Sequence, residues 1–123
     1  MKHNIKAVDI PLTPAIADYV EKKLHRLDRF LSPANVEETT CHVEIGMSTR
    51  HHKKGDHFAA ILTIVIGGRT LRAEVEKDDL YAAVDLAIDE MATELKRFEK
   101  KKVSILKRTG AKVKAFIKGF IDR

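Results

Sequence analysis

Basic side chains recur at helical spacing in two separate segments of the chain, and their chemistry is that of anion binding. In the first segment Lys22, Arg26 and Arg29 stand at positions i, i+4 and i+7, with Lys23 beside them. The second segment contains Lys96, Arg97, Lys100, Lys101 and Lys102. Residues three, four and seven apart share one face of a helix. Each segment therefore predicts a cationic surface that can neutralise a phosphate backbone and release its counterions.

Both basic segments also have a simpler explanation, because charged residues on an amphipathic helix usually form its solvated face. Lys and Arg near the end of a helix also complement its macrodipole. This explanation is favoured for the first segment taken alone. It is weaker for the second segment, where five basic residues fall within seven positions beside a basic terminal stretch. If the two helices lie side by side, the two segments merge into one cationic surface.

A third group of basic and imidazole side chains lies at 50–57, in the sequence RHHKKGDH. Lys53 and Lys54, at this predicted hairpin tip, are candidates for a contact to phosphate, beside the plain interpretation of a solvated turn. Structural zinc sites have better-defined ligand spacing than these histidines provide. We therefore expect no metal site, and no other cofactor is indicated.

The charge is unevenly distributed along the 123 residues, whose net charge is +5. Residues 95–123 hold 11 Lys or Arg and 2 Asp or Glu, against 12 and 16 in residues 1–94. A mildly acidic body with a strongly basic end favours contact with nucleic acid or an anionic membrane. Cys41 is the only cysteine, so a disulfide framework is excluded and a reducing compartment fits. The first 14 residues lack the apolar run of a signal peptide, which predicts a cytoplasmic protein.

The elements that position these residues follow from periodicity, in the order β-α-β-β-β-α. Alternating apolar residues predict four strands, at 2–9, 36–50, 57–66 and 69–77. Gly67-Gly68 fits a tight hairpin turn. A first helix of about 18 residues is predicted from Thr13-Pro14 to Ser32-Pro33, and a second from about 79 to about 102. The predicted fold class is α+β: a four-stranded sheet, rich in antiparallel pairs, with both helices packed on one face.

The sequence offers no constellation of residues for catalysis. It contains no Gly-rich phosphate loop followed by Lys-Ser/Thr and no dinucleotide-binding fingerprint. Ser32, Ser48 and Ser104 lie in no nucleophile-elbow context. Cys41 stands on the apolar side of an alternating strand and is interpreted as a small buried hydrophobe. We therefore predict that the protein is not an enzyme and has no small-molecule substrate.

The segment DDLYAAVDLAIDEMATELKRFEKKK, residues 78–102, resembles the second helix of the ribosome hibernation-promoting factors. That family includes the ribosome-associated inhibitor often called protein Y. The shared features are a D-hydrophobic-Tyr-Ala-Ala-hydrophobic-Asp block and a Lys/Arg-rich end. The segment LTPAIADYVEKKLHRLDRF is similar to the family's first helix, and the order β-α-β-β-β-α is the family's order. The resemblance covers about residues 1–102.

The resemblance implies a translation inhibitor that binds the small ribosomal subunit through its RNA and stabilises dormant ribosomes. Members of the family lie in the decoding region, across the positions of tRNA and mRNA, and block translation sterically. Carried over by position, the implied RNA contacts are Lys22, Lys23, Arg26 and Arg29 on the first helix and Lys96, Arg97, Lys100, Lys101 and Lys102 on the second. For Asp79, Tyr81 and Asp85 we prefer structural roles in capping, core packing and the start of the helix. A contact of Asp85 with RNA bases or with a neighbouring loop stays open as the alternative.

Residues 103–123 form a basic amphipathic tail or linker outside the resemblance, so the chain is divided into 1–102 and 103–123. Gly110 and Gly119 weaken the helical pattern of the tail by about 1 kcal/mol each. The tail is interpreted as an RNA-contacting arm, a helix that packs on a partner, or a linker to further chain, and pairing of two ribosomes is not established. Two other functions remain open: a generic double-stranded RNA-binding module, and a protein- or membrane-interaction domain that acts through the tail.

Overall fold

The computed structural model describes the backbone of residues 1–48 and 57–121 and the side chains of residues 1–48 and 57–101. Its elements are β1 (Lys2–Val8), α1 (Pro14–His25), a 3-10 turn (Asp28–Phe30), α2 (Pro33–Val36), β2 (Thr40–Met47), β3 (Phe58–Ile66), β4 (Arg69–Lys77) and α3 (Leu80–Ile121). The predicted order β-α-β-β-β-α is confirmed, with α2 as one additional helical turn.

The four strands form one mixed sheet in the order β1-β2-β3-β4. β1 pairs in parallel with β2, because α1 carries the chain back along the sheet between them, whereas β3 pairs antiparallel with both β2 and β4. The turn between β3 and β4 is Gly67-Gly68, with φ values of 56° and 74°. This is the left-handed region that favours glycine, so the predicted tight hairpin is confirmed.

One face of the sheet carries the hydrophobic core, and α1 and α3 both contribute to it. The largest fully buried side chains come from strands and helices alike: Leu27, Ile45, Leu62, Ile64, Met91, Leu95, Val20 and Cys41. Each large aliphatic side chain buried in this way contributes about 1.5–3 kcal/mol relative to an exposed position. The predicted α+β architecture, with both helices over one face of a four-stranded sheet, is therefore confirmed.

The first helix is shorter than predicted. α1 ends at His25, and the chain then tightens to hydrogen bonds that span three residues, such as the 2.9 Å bond from Leu27 N to Leu24 O. Leu27 and Leu31 stay buried through this change. Apolar spacings of three and four residues suit the α-helix and the 3-10 turn alike. The apolar stripe therefore could not show where one gives way to the other.

Two further boundaries differ from the prediction. Pro33 begins α2, in the first helical position that suits proline, so β2 begins at Thr40 rather than at 36. α3 does not end near 102 but continues through Gly110 to Ile121. The continuation contains no proline, and an interior glycine costs only about 1 kcal/mol relative to alanine. The division of the chain into two units at 102 stays a prediction.

Candidate nucleic-acid interface

α1 and the segment after it lie beside α3 and run in the same direction. Two hydrogen bonds mark this alignment. The Tyr19 hydroxyl donates to Asp85 Oδ1 at 2.5 Å, and the Ser32 backbone N–H donates to Glu99 Oε1 at 3.4 Å. The paired residues are 66 and 67 positions apart, so the register is kept along the whole contact. Because the two elements run in parallel, the basic segment of one lies beside the basic segment of the other.

The ring of Phe30 joins the two basic segments. The Arg29 guanidinium lies 4.7 Å from the centre of this ring, and the Lys96 ammonium lies 4.9 Å from it. A cation at this distance is attracted by the quadrupole of the ring, by about 0.5–1 kcal/mol at an exposed site. Arg29 lies in the 3-10 turn and not on the first helix, where its i+7 spacing had placed it. Phe30 nevertheless brings it beside α3.

Most of the predicted RNA contacts are exposed. Of the eight whose side chains the structure describes, seven are exposed, and together they are named here the helical basic surface: Lys22, Arg26, Arg29, Lys96, Arg97, Lys100 and Lys101. Lys23, the eighth, is half-buried. Lys53 and Lys54 lie outside the described residues, and so does the side chain of Lys102.

Among the side chains that the structure describes, Arg97 is the member of the helical basic surface that has an ion-pair partner on its own helix. Its Nη1 lies 3.3 Å from Glu94 Oε1, and the Arg97 side chain is 74% exposed. An exposed pair of this kind contributes only about 0–1 kcal/mol. The guanidinium can therefore exchange Glu94 for a phosphate at little cost.

Asp85 gathers two side chains of α1 at the contact between the helices. Besides the Tyr19 hydroxyl, it meets Lys23 Nζ at 3.2 Å from the same oxygen, Oδ1. Tyr81 adds an edge-to-face contact with Tyr19, with ring centres 4.7 Å apart and planes at 88°. These contacts were not predicted from the sequence. One signal was available, since a tyrosine on an apolar stripe usually needs a partner for its hydroxyl.

The Asp85 contacts shift two pKa values in opposite directions. Burial raises the pKa of the Asp85 carboxyl, but hydrogen bonds from Tyr19 and Lys23 and the charges of Lys23 and Arg26 together outweigh it, so the pKa is lowered overall. The hydrogen bond to Asp85, burial and the negative charge of Asp85 raise the pKa of Tyr19 to about 12. At neutral pH Asp85 is therefore an ionised acceptor and Tyr19 a neutral donor.

Asp79 caps the start of α3, as predicted. Its carboxylate oxygens accept hydrogen bonds from the backbone N–H groups of Tyr81 and Ala82, each at 3.3 Å. These donors have no partner within the helix, so the cap satisfies them. Tyr81, for which core packing was preferred, keeps 39% of its surface exposed and packs against Tyr19 outside the core.

Other kinds of chemistry find little support in the described part of the chain. Within it, no three His, Cys, Asp or Glu side chains are grouped to hold a metal ion. Cys41 is fully buried in β2, as predicted, and burial raises the pKa of its thiol to about 12. None of the described helices has an apolar stretch that could cross a bilayer.

The chain matches a known protein family. Residues 3–103 match the family described as sigma 54 modulation protein / S30EA ribosomal protein. The chain is 28% identical over 101 residues to the ribosome hibernation promotion factor of Bacillus subtilis (strain 168), a match that covers 82% of this chain and 50% of that protein. It is 27% identical over 99 residues to the factor of the same name from Staphylococcus aureus (strain COL), covering 80% and 48%. The chain thus spans about half the length of the curated relatives it matches.

Two solved structures share the fold. The Thermus thermophilus Protein Y N-terminal domain is 34% identical with a TM-score of 0.66, and the match covers 80% of this chain and 99% of that one. A ribosomal subunit interface protein from Coxiella burnetii is 24% identical with a TM-score of 0.64, covering 81% and 99%, and shows the fold alone. The family and the relatives are named as ribosomal and ribosome hibernation proteins, which agrees with the prediction from the sequence that the protein is not an enzyme. The chain belongs to the sigma 54 modulation protein / S30EA ribosomal protein family, with ribosome hibernation promotion factors among its relatives.

Proposed function

We propose that the protein binds the small ribosomal subunit in the decoding region, across the tRNA and mRNA channel, and blocks translation sterically so that idle ribosomes stay dormant. The helical basic surface meets ribosomal RNA. One observation carries the proposal: two basic segments far apart in the sequence are aligned in parallel and joined at Phe30, where Arg29 and Lys96 share one ring. A surface of this kind neutralises phosphates along an RNA backbone.

The composition of the helical basic surface favours contact with the RNA backbone over contact with bases. Lys and Arg side chains on phosphates fix the position of a protein on RNA without reading its sequence. Tyr81 is the one large aromatic side chain that is exposed among the described residues, so stacking of several bases has little support. Preference for the ribosome then comes from the fixed arrangement of two packed elements against a folded RNA of matching shape.

Co-sedimentation with vacant small subunits tests the proposal. The variant Lys96→Glu, Arg97→Glu, Lys100→Glu, Lys101→Glu reverses the α3 part of the helical basic surface. A matched control, Lys2→Glu, Lys6→Glu, Arg69→Glu, Lys77→Glu, makes the same change in net charge at four exposed positions on the strands. We expect saturable binding of the wild type that resists a duplex-RNA competitor, loss of binding in the α3 variant, and binding by the control.

Each other result has a definite meaning once circular dichroism has shown that the variants are folded. Undiminished binding by the α3 variant would exclude the α3 part of the helical basic surface as the site and defeat the proposed joined surface. Equal loss in the variant and the control would mean that net charge alone governs binding. Binding that any duplex RNA abolishes would indicate a generic double-stranded RNA-binding module. If binding is specific, inhibition of in vitro translation by the wild type but not by the α3 variant is the next result expected.

A further inference from the structure

Lys23 differs from the other cations of the predicted RNA-binding set. Its side chain is 19% exposed, whereas its neighbours Lys22 and Arg26 are exposed. Its ammonium lies 3.2 Å from Asp85 Oδ1 and 5.3 Å from the centre of the Tyr19 ring. The positive charge of Lys23 is therefore already matched by a carboxylate of the same protein, and little of the side chain is available to a phosphate.

We infer that Tyr19, Lys23 and Asp85 form an interhelical clamp that positions α1 against α3, and that Lys23 is a positioning residue rather than an RNA contact. This inference rests on the proposed function, since it assigns a role within the proposed RNA-binding surface. Two donors from α1 converge on one oxygen of α3: the Tyr19 hydroxyl at 2.5 Å and the Lys23 ammonium at 3.2 Å. The clamp thus holds one helix to the other at a single point.

The physical reason for a clamp lies in what the hydrophobic contact leaves undetermined. α1 buries Val20 and Leu24 in the core. Apolar burial is non-directional, so it favours contact between the helices without fixing their rotation or register. Hydrogen bonds to an ionised acceptor are directional and about twice as strong as neutral ones. The clamp therefore supplies the register that the apolar side chains do not.

The register matters at the far end of the contact. Asp85 and Lys96 are eleven residues apart on α3, which corresponds to about 16 Å along the helix axis. A slip of α1 at Asp85 changes the distance between the two halves of the helical basic surface, where Arg29 meets Lys96 through Phe30. Loss of the clamp should thus weaken RNA binding although none of its residues touches RNA.

Removal of the Asp85 charge distinguishes the two alternative roles of Lys23, because they predict opposite changes in the affinity for RNA. If Lys23 contacted RNA, Asp85→Asn would release it and remove a negative charge near the interface, so binding would strengthen. If Lys23 belongs to the clamp, the same substitution misaligns the basic segments and weakens binding. Asp89 is an exposed carboxylate one turn further along α3. Asp89→Asn makes the same charge change outside the clamp and should leave binding unchanged or slightly stronger.

The salt dependence of binding provides a second, independent readout. Binding of the full chain to vacant small subunits is measured over a salt series for the wild type and single variants. Lys22→Met should lower the log–log slope by about 0.7–0.9, the value for one phosphate. Lys23→Met should keep the wild-type slope while binding weakens by about three- to tenfold at every salt concentration, since contacting residues are coupled to this extent. The double variant Lys23→Met, Asp85→Asn should bind no more weakly than the weaker single variant.

Two results would overturn the clamp. One is stronger binding by Asp85→Asn, and the other is a decrease of the log–log salt slope in Lys23→Met as large as the decrease in Lys22→Met. Tyr19→Phe keeps the ring and removes only the hydroxyl, and should also weaken binding without changing the slope. If the wild type does not bind small subunits at all, the proposed function fails. The clamp is then still tested by urea unfolding, in which additive effects of Tyr19→Phe and Asp85→Asn would overturn it and coupled effects would support it.

Discussion

Replacement of Lys96, Lys100 and Lys101 by glutamine should weaken binding to small subunits by an amount that depends steeply on salt. All three side chains are exposed, and none pairs with a carboxylate among the described residues. Each can therefore displace counterions from one phosphate, which contributes about 0.7–0.9 to the log–log salt slope. Loss of three such contacts lowers the slope by about 2.1 to 2.7.

This change in slope sets the loss of affinity. We take the variant and the wild type to bind equally at 1 M salt, where counterion release contributes nothing. A slope lower by about 2.1 to 2.7 then makes the variant bind about 100- to 500-fold more weakly than the wild type at 0.1 M salt. The corresponding loss of binding free energy is about 3–4 kcal/mol. At higher salt the difference between the variant and the wild type should shrink, because each released counterion gains less entropy in a more concentrated solution.

The assay is quantitative co-sedimentation at constant magnesium over about 0.05 to 0.3 M potassium chloride, the range in which counterion release governs affinity. The matched control replaces Lys2, Lys6 and Lys77, which are exposed on the strands, by glutamine. Its slope should equal that of the wild type. If the α3 variant loses affinity with an unchanged slope, or if both variants lose slope equally, the assignment of phosphate contacts to α3 is wrong.

Three further predictions concern stability and reactivity. The pKa of Asp85 is lower in the folded protein than in the unfolded chain, so the ionised carboxylate stabilises the fold fully above the unfolded-state pKa, and this stabilisation is lost as the pH falls through the folded-state pKa. The difference in melting temperature between the wild type and Asp85→Asn, measured by calorimetry, should therefore shrink below about pH 4. A difference that stays constant with pH would contradict this. Cys41 should react with iodoacetamide at pH 8 no faster than the protein unfolds, as followed by mass spectrometry. Gly46→Ala should lower the free energy of unfolding by about 1–3 kcal/mol in urea, because its Cβ collides with the Val8 carbonyl oxygen; an unchanged midpoint would show that β1 can move away from β2.

The strands could be predicted from the sequence because a sheet with one buried face must alternate. Leu71, Ala73 and Val75 were expected to point inward, and all three are buried. The bounds of β4 agree with the prediction to the residue. The parallel pairing of β1 with β2 could not be predicted in this way. It depends on the position at which α1 brings the chain back to the sheet, and the alternation of residues within a strand does not contain that information.

The basic residues of the candidate site could be predicted within each segment, but the sequence could not predict that the two segments form one surface. Helical spacing placed Lys22 and Arg26 on one face and Lys96 and Lys100 on another. Whether the faces meet depends on the direction and register of two helices packed on a sheet. A structural role was preferred for Asp85 from the sequence, but its partners were not predicted, and only the packed structure shows that it receives two side chains of α1.

The length of α3 removes the helix macrodipole as an explanation for its basic residues. A helix macrodipole favours cations only within the last turn. Lys22 and Lys23 do lie in the last turn of α1, so the macrodipole accounts for part of that segment. The basic run of α3, by contrast, lies in the interior of a helix that continues to Ile121, where the macrodipole gives no such advantage.

Within that interior run, like charges face one another. Lys96 with Lys100, and Arg97 with Lys101, stand at i and i+4. Each such pair destabilises the free helix by about 0.2–0.5 kcal/mol. An RNA backbone that neutralises these cations removes the repulsion, so relief of the repulsion adds to the free energy of binding. In the proposed complex, the same pairs that weaken the free helix therefore favour binding.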